Sequence, residues 1–123
     1  MGVLQQVYHF CYISKMSWTV GLVNATAEAE VYALPADMLA RFLRIGDLIR
    51  DRGLIAMREP HVKHLTGKLW EIRMKGRDGI ARSIYAAASG QRVVVLRTFI
   101  KKTQTTPPRE IDLALARLKE MDP

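Results

Sequence analysis

A chain of 123 residues, 49% apolar and 25% charged, is long enough to bury one ordinary core and too apolar to be disordered by default. Its single cysteine, Cys11, excludes an internal disulfide framework, and without clustered Cys/His pairs there is no zinc signature; a reducing, cytoplasmic setting with no metal or other cofactor is the expectation. A net charge of +7 points to an anionic partner, nucleic acid being the commonest, with a surface tuned for solubility as the alternative.

Residues 1–15, MGVLQQVYHFCYISK, carry one charge and no clear period. They lack the basic start and small-residue cleavage site of a signal peptide and are too short and interrupted to span a bilayer, so no membrane role is expected. Met16 opens a fresh pattern, and the expectation is an amino-terminal extension over 1–15, an over-extended start, followed by one domain over 16–123; a genuine extra strand or arm is the other reading. Trp18–Val23 reads as a strand, and Asn24 can cap the helix after it by accepting an early free amide. That helix, Ala25–Leu34, is short and alanine-rich, and Leu34-Pro35 breaks it. A second helix from about Pro35 to Arg52 carries Leu39, Phe42, Gly46 and Ile49 on one stripe, with Gly53 as its stop. Together the two read as a helical hairpin, whose Arg41, Arg44, Arg50 and Arg52 are solvated charges.

Gly53–Lys68 reads as a connector, mostly loop, holding His61 and His64 with Lys63 and Lys68. Three apolar-alternating runs follow, Leu69–Met74, Ile80–Ala88 and Val93–Ile100, linked by GRDG (76–79) and SGQ (89–91); these short glycine-containing links predict an antiparallel meander. Thr106-Pro107-Pro108 then opens a last helix, threonine as cap and proline in the first turn, with Ile111, Leu115 and Leu118 at helical spacing. The predicted class is α+β: a sheet of about four strands, largely antiparallel, with an amino-terminal helical hairpin and a carboxy-terminal helix.

Charge is concentrated in the meander and its approach. Residues 57–102 hold eleven Lys or Arg against three carboxylates, more than the excess of the whole chain. Alternation puts Leu69, Glu71, Arg73 and Lys75 on one face of their strand, and Trp70, Ile72 and Met74 on a core-like face. In the last strand Arg97, Phe99 and Lys101 share a face opposite Leu96, Thr98 and Ile100, and Lys102 follows. Arg82 and Tyr85 fall on opposite faces of a regular middle strand, unless a bulge brings them together. Guanidinium and ammonium groups on a rigid sheet, with aromatics nearby, suit a phosphodiester backbone and a stacked base.

The runs LWEIR (69–73), GIARSIY (79–85) and above all FIKKTQTTPPREIDLALAR (99–117) resemble the RelE superfamily of type II toxins, in particular its HigB-like, phage-related branch. The resemblance extends over LPADMLARFLRI (34–45) and residues 53–73, and so spans Met16 to Met121. It implies a RelE-like fold and a small metal-independent endoribonuclease that cleaves mRNA in the ribosome, inhibits translation, and is neutralised by a helix-turn-helix antitoxin of the HigA-like kind. The implied chemistry is transesterification: the ribose 2′-hydroxyl attacks its own phosphate and leaves a 2′,3′-cyclic phosphate and a 5′-hydroxyl. Such a reaction needs a proton acceptor, cations for the phosphorane and a proton donor.

Carried over by position, Arg82, Arg73, Lys101 and Lys102 are the expected electrostatic groups. Glu71 is a general base or the ion-pair partner of Arg73. His64 is a proton shuttle or a solvated loop histidine. Lys63, Lys68, Arg97, Phe99 and Tyr85 are candidate RNA contacts, Phe99 beside Arg97 as a stacking pair and Tyr85 either stacking or filling the core; Trp70 is expected inside. The terminal run has no histidine or tyrosine to act as general acid. Two other classes compete: a non-catalytic, ParE-like inhibitor of DNA gyrase, and a nucleic-acid-binding module without toxicity.

Overall fold

The computed structural model describes residues 18–53, 62–101 and 105–121, in the order β1 (Thr19–Leu22), α1 (Ala25–Tyr32), α2 (Ala36–Arg52), β2 (Val62–Thr66), β3 (Leu69–Gly76), β4 (Gly79–Ala88), β5 (Arg92–Lys101) and α3 (Pro108–Leu118). The five strands form one sheet in the order β1-β5-β4-β3-β2. The predicted meander is its centre: β3, β4 and β5 pair antiparallel in sequence order, and β1 joins β5 in parallel. One expectation fails: the connector contains a fifth strand, β2, paired antiparallel with β3. Its burial alternates poorly because it is an edge strand, with Val62 inside and Lys63, His64 and Thr66 exposed, so it carries little apolar period. The extension over 1–15 and the start at Met16 lie outside the described residues.

Two apolar layers flank the sheet. On one face α2 lays Met38, Phe42 and Ile49 against Ile72, Met74, Ala81, Tyr85, Val93 and Val95. On the other, Ala114, with Ile111 and Leu118 packed around it, places α3 over Leu69, Ile84, Ala86, Leu96 and Phe99. Leu115 is not part of that stripe, being 40% exposed; the helix is turned so that Glu110, Ala114 and Arg117 face inward. α2 ends where Gly53 adopts φ +78°, a left-handed conformation that glycine reaches without a Cβ penalty. Its start is pinned to the β3–β4 turn, since the Asp37 carboxylate accepts the Arg77 and Met38 amides at 2.7 and 2.9 Å. A Cβ on Gly76 would stand 2.7 Å from Met38 Cγ, so glycine is required for that close approach.

α1 starts as expected, Asn24 Oδ1 accepting the Ala27 amide at 2.8 Å. It makes most of its contacts with β5. β1 pairs with β5 only as far as Val95, and beyond that point Glu30 of α1 accepts the Thr98 amide at 3.2 Å, satisfying a donor that the short edge strand leaves open. Among the described residues no helix is long and apolar enough to cross a membrane.

Candidate functional site

The strand register decides which charged residues meet. Ile80 pairs with Lys101, Arg82 with Phe99 and with Arg73, and Glu71 with Lys63. Alternation therefore projects Lys63, Glu71, Arg73, Arg82 and Lys101 from one face of four consecutive strands, the face that α3 partly covers. The pairing of β4 with β5 slips between Ile84 and Tyr85, which face Arg97 and Val95, so the extra residue is Leu96 in β5. The bulge brings Leu96 to the same side as Phe99, contrary to simple alternation, while β4 itself runs regularly and keeps Arg82 and Tyr85 on opposite faces.

Glu71 is the centre of the cluster. It is fully buried, and its carboxylate accepts from the Arg82 guanidinium, from the Thr106 hydroxyl and, at 3.3 Å, from Arg73 Nε. Burial would raise its pKa; the hydrogen bonds from Thr106 and Arg82, the Arg82 charge and the Arg73 bond outweigh that and hold it below the ordinary carboxylate value. A carboxylate so occupied is a poor proton acceptor and a good brace. Arg82 is buried beside it, and Arg73 keeps 28% of its side chain exposed. Thr106 was expected to cap α3, but the cap position is Pro107, and the hydroxyl turns into the sheet to donate to Glu71.

Lys101 completes the group. It is 7% exposed, and among the described residues its Nζ has no hydrogen-bond partner. Burial, then the Arg82 charge, lowers its pKa; Arg73 and Lys63 push the same way and only Glu71 opposes. Four cations thus stand around one carboxylate, and that carboxylate is already claimed by two arginines. Lys102 lies outside the described residues.

Other expected site residues are placed elsewhere. His64 pairs with Trp70 on the opposite face of the sheet, its ring tilted against the indole with centroids 4.8 Å apart and Nε2 2.9 Å from the Gly67 carbonyl oxygen. It does not join the cluster. Trp70, expected inside, is 40% exposed because it sits where the edge hairpin runs past the cover of α2. Tyr85 fills the α2 core, and burial pushes its hydroxyl up to about 12. Phe99 is buried in the α3 layer, and the Arg97 guanidinium lies 5.8 Å from its ring.

Arg97 is committed to the protein. It binds Glu110 at 2.7 Å and Glu30 at 2.7 Å, and Arg117 joins from α3, binding Glu30 at 2.8 Å and the Leu96 carbonyl at 2.9 Å. This network of two carboxylates and two arginines ties α1, β5 and α3 together. It was not foreseen, because Glu30 lies in an alanine-rich helix with no periodic signal and Glu110 and Arg117 resemble ordinary surface charges. Lys68 is exposed in the β2–β3 turn. No group of three metal-ligating side chains occurs among the described residues.

A family model described as phage-derived protein Gp49-like matches residues 29–119. No curated protein matches the chain significantly by sequence. Among solved structures, the archaeal RelE–RelB complex from Pyrococcus horikoshii is similar with a TM-score of 0.53 and 22% identity, over 72% of this chain and 100% of that one. The E. coli toxin RelE, solved free as a double arginine-to-alanine mutant, is similar with a TM-score of 0.58 and 15% identity, over 84% of this chain and 99% of that one. At these identities the likeness is one of fold.

Proposed function

This chain belongs to the phage-derived Gp49-like family, whose members resemble the RelE and HigB toxins, and from that premise we propose that it is the toxin of a type II toxin–antitoxin pair, an endoribonuclease of mRNA that acts in the ribosome. The observation that carries the reading is the cluster of Lys63, Arg73, Arg82 and Lys101 around the single carboxylate of Glu71, with the Lys101 ammonium buried and unpartnered among the described residues. A surplus of cations crowded on a rigid, partly buried face costs free energy unless an anion arrives to offset it. A phosphodiester is such an anion, and its in-line displacement creates more charge than it starts with.

In the proposed reaction the 2′-hydroxyl oxygen bonds to phosphorus, the bond to the 5′-oxygen breaks, and a 2′,3′-cyclic phosphate results. Arg73 and Arg82, cationic throughout, stabilise the equatorial oxygens of the phosphorane. Glu71 orients both guanidinium groups from behind; Arg73, with 28% of its side chain exposed, meets the substrate directly, and the buried Arg82 acts through its charge. Lys101, whose proton is loosened by its neighbours, is the group on this face best suited to move a proton. Lys63 and Lys68 hold the flanking backbone, with a salt dependence that follows the number of phosphates contacted. The partner is a helix-turn-helix antitoxin of the HigA-like kind. That the archaeal relative was solved as a RelE–RelB complex supports a partner chain here.

Mapping mRNA 5′ ends after induction, with and without ribosomes in a reconstituted system, tests the proposal. Cuts bearing 5′-hydroxyl ends, abolished by Lys101→Ala, are expected. Intact mRNA together with a prior change in DNA supercoiling would replace it with gyrase inhibition.

A further inference from the structure

Trp70 is 40% exposed, a large flat apolar side chain on the α2 face of the sheet that α2 leaves uncovered. His64 pairs with it across the edge hairpin, the two rings tilted at 56° with centroids 4.8 Å apart. Nε2 of His64, 2.9 Å from the Gly67 carbonyl oxygen, fixes the imidazole in place. The His64 ring is exposed as well, and so are Lys63 and Lys68 to either side in sequence. Residues 62–70 contain no carboxylate, and the next residue, Glu71, is fully buried on the opposite face. Exposed aromatic rings held on a rigid strand pair, with cations as the only charges of that hairpin, are complementary to a nucleobase and the phosphates beside it. We propose that the His64–Trp70 pair is a stacking site for an unpaired base of single-stranded RNA, with Lys63 and Lys68 on the adjoining phosphates.

The site is continuous with the cation cluster. Lys63 and His64 are consecutive residues of β2, so alternation sends Lys63 to the cluster's face and His64 to the other. β2 is the last strand of the sheet, so its own width separates the two surfaces, and one RNA strand reaches both by passing over that edge. The paired, stacked bases of a duplex offer the indole no free face, so the site selects single strands. Stacking tolerates any base, since each has a π-face, and the lysines read charge alone; the hairpin therefore sets strandedness and grip rather than sequence. RNA as the ligand is taken from the function proposed above, whereas stacking on Trp70 does not depend on whether the cluster cuts.

The test is a fluorescence titration of the full chain with a 2′-O-methyl oligouridylate, which lacks the attacking 2′-hydroxyl and is bound without being cut. Trp18→Phe leaves Trp70 as the one tryptophan, and its emission should be quenched as the oligonucleotide binds. In the otherwise unaltered chain, Trp70→Ala should weaken binding about five- to 150-fold, by the same factor at low and high salt because stacking releases no counterions. Lys68→Ala should instead lower the slope of log affinity against log salt by about one. A fully paired RNA duplex should be bound equally by the parent and by Trp70→Ala. Absence of binding, or unquenched Trp70 emission at saturation, overturns the inference. So does a Trp70→Ala protein that holds the single strand as tightly as its parent; the two measurements use different variants, so either one decides where the other variant fails to fold. A Trp70→Ala loss that falls on the antitoxin complex, with oligonucleotide binding intact, gives the surface to a protein and also overturns it. Quenching and Trp70-dependent affinity in a chain that leaves mRNA intact uphold the inference without the nuclease; cleavage by a chain whose Trp70 stays unquenched does the reverse.

Discussion

Glu71→Gln separates the two roles open to that carboxylate. The side chain is fully buried and accepts from Thr106, Arg82 and Arg73. Glutamine has nearly the same shape but one acceptor oxygen, and its amide nitrogen must face a donor. The Arg82 guanidinium, 4% exposed, then stays buried with its counter-charge gone. Breaking a buried pair by removing one partner costs about 3–5 kcal/mol, set against a total of about 5–15 kcal/mol for an ordinary domain. For a chain of 123 residues, at about 4 °C per kcal/mol, the unfolding midpoint should fall by roughly 12–20 °C. Thermal unfolding by circular dichroism measures this, with RNA cleavage assayed well below the lowered midpoint. A brace predicts a large loss of stability, with cleavage lowered through misplaced arginines and partly restored by high phosphodiester concentration. An unchanged midpoint with abolished cleavage would refute the brace and make Glu71 the general base.

Arg97→Ala should destabilise by about 3 kcal/mol, the low end for a buried pair because Arg97 keeps 23% exposure, and should loosen α3 as read by hydrogen exchange. Arg44→Ala, an exposed substitution on α2, should change stability by less than about 0.5 kcal/mol and leave growth arrest intact. Acid should weaken the fold in a defined window. Glu30 and Glu71 have folded pKa values below 4.5, Glu30 because bonds from Arg117, the Thr98 amide and Arg97 overcome the opposing effect of burial. Their contribution is complete above about pH 4.5 and is lost as pH falls through the lower folded values, so the denaturation midpoint should drop there. Lys101 runs the other way in chemistry but the same way in sign. The unfolded chain keeps its proton up to about pH 10.5 and the folded one releases it earlier, so stability rises across that interval, and Lys101→Met should remove the slope.

Where local pattern carries the information, the chain alone was enough. Period-two runs with short glycine links defined β3, β4 and β5 because alternation and turn chemistry act over neighbouring residues. The Asn24 cap and the Gly53 stop were legible for the same reason. Alternation grouped Arg73 with Glu71, and Lys101 with Arg97 and Phe99, within their own strands; that these faces coincide with that of Arg82 was set by the register between strands. Everything that required contact between distant segments was decided by the tertiary structure. β2 has too few apolar residues to announce itself and exists because β3 offers an unpaired edge. His64 fell to the far side, opposite the cluster, because its pairing with Trp70 sets its face, while Trp70 kept the face that alternation gave it but ended 40% exposed. The Leu96 bulge moved one residue across the sheet, which alternation cannot anticipate. Above all, whether Glu71 is a base or a brace depended on Thr106, 35 residues away, turning its hydroxyl inward. Which donors a buried carboxylate finds is a property of packing, where desolvation and hydrogen bonds of opposite sign meet at one atom, and no local pattern records their balance.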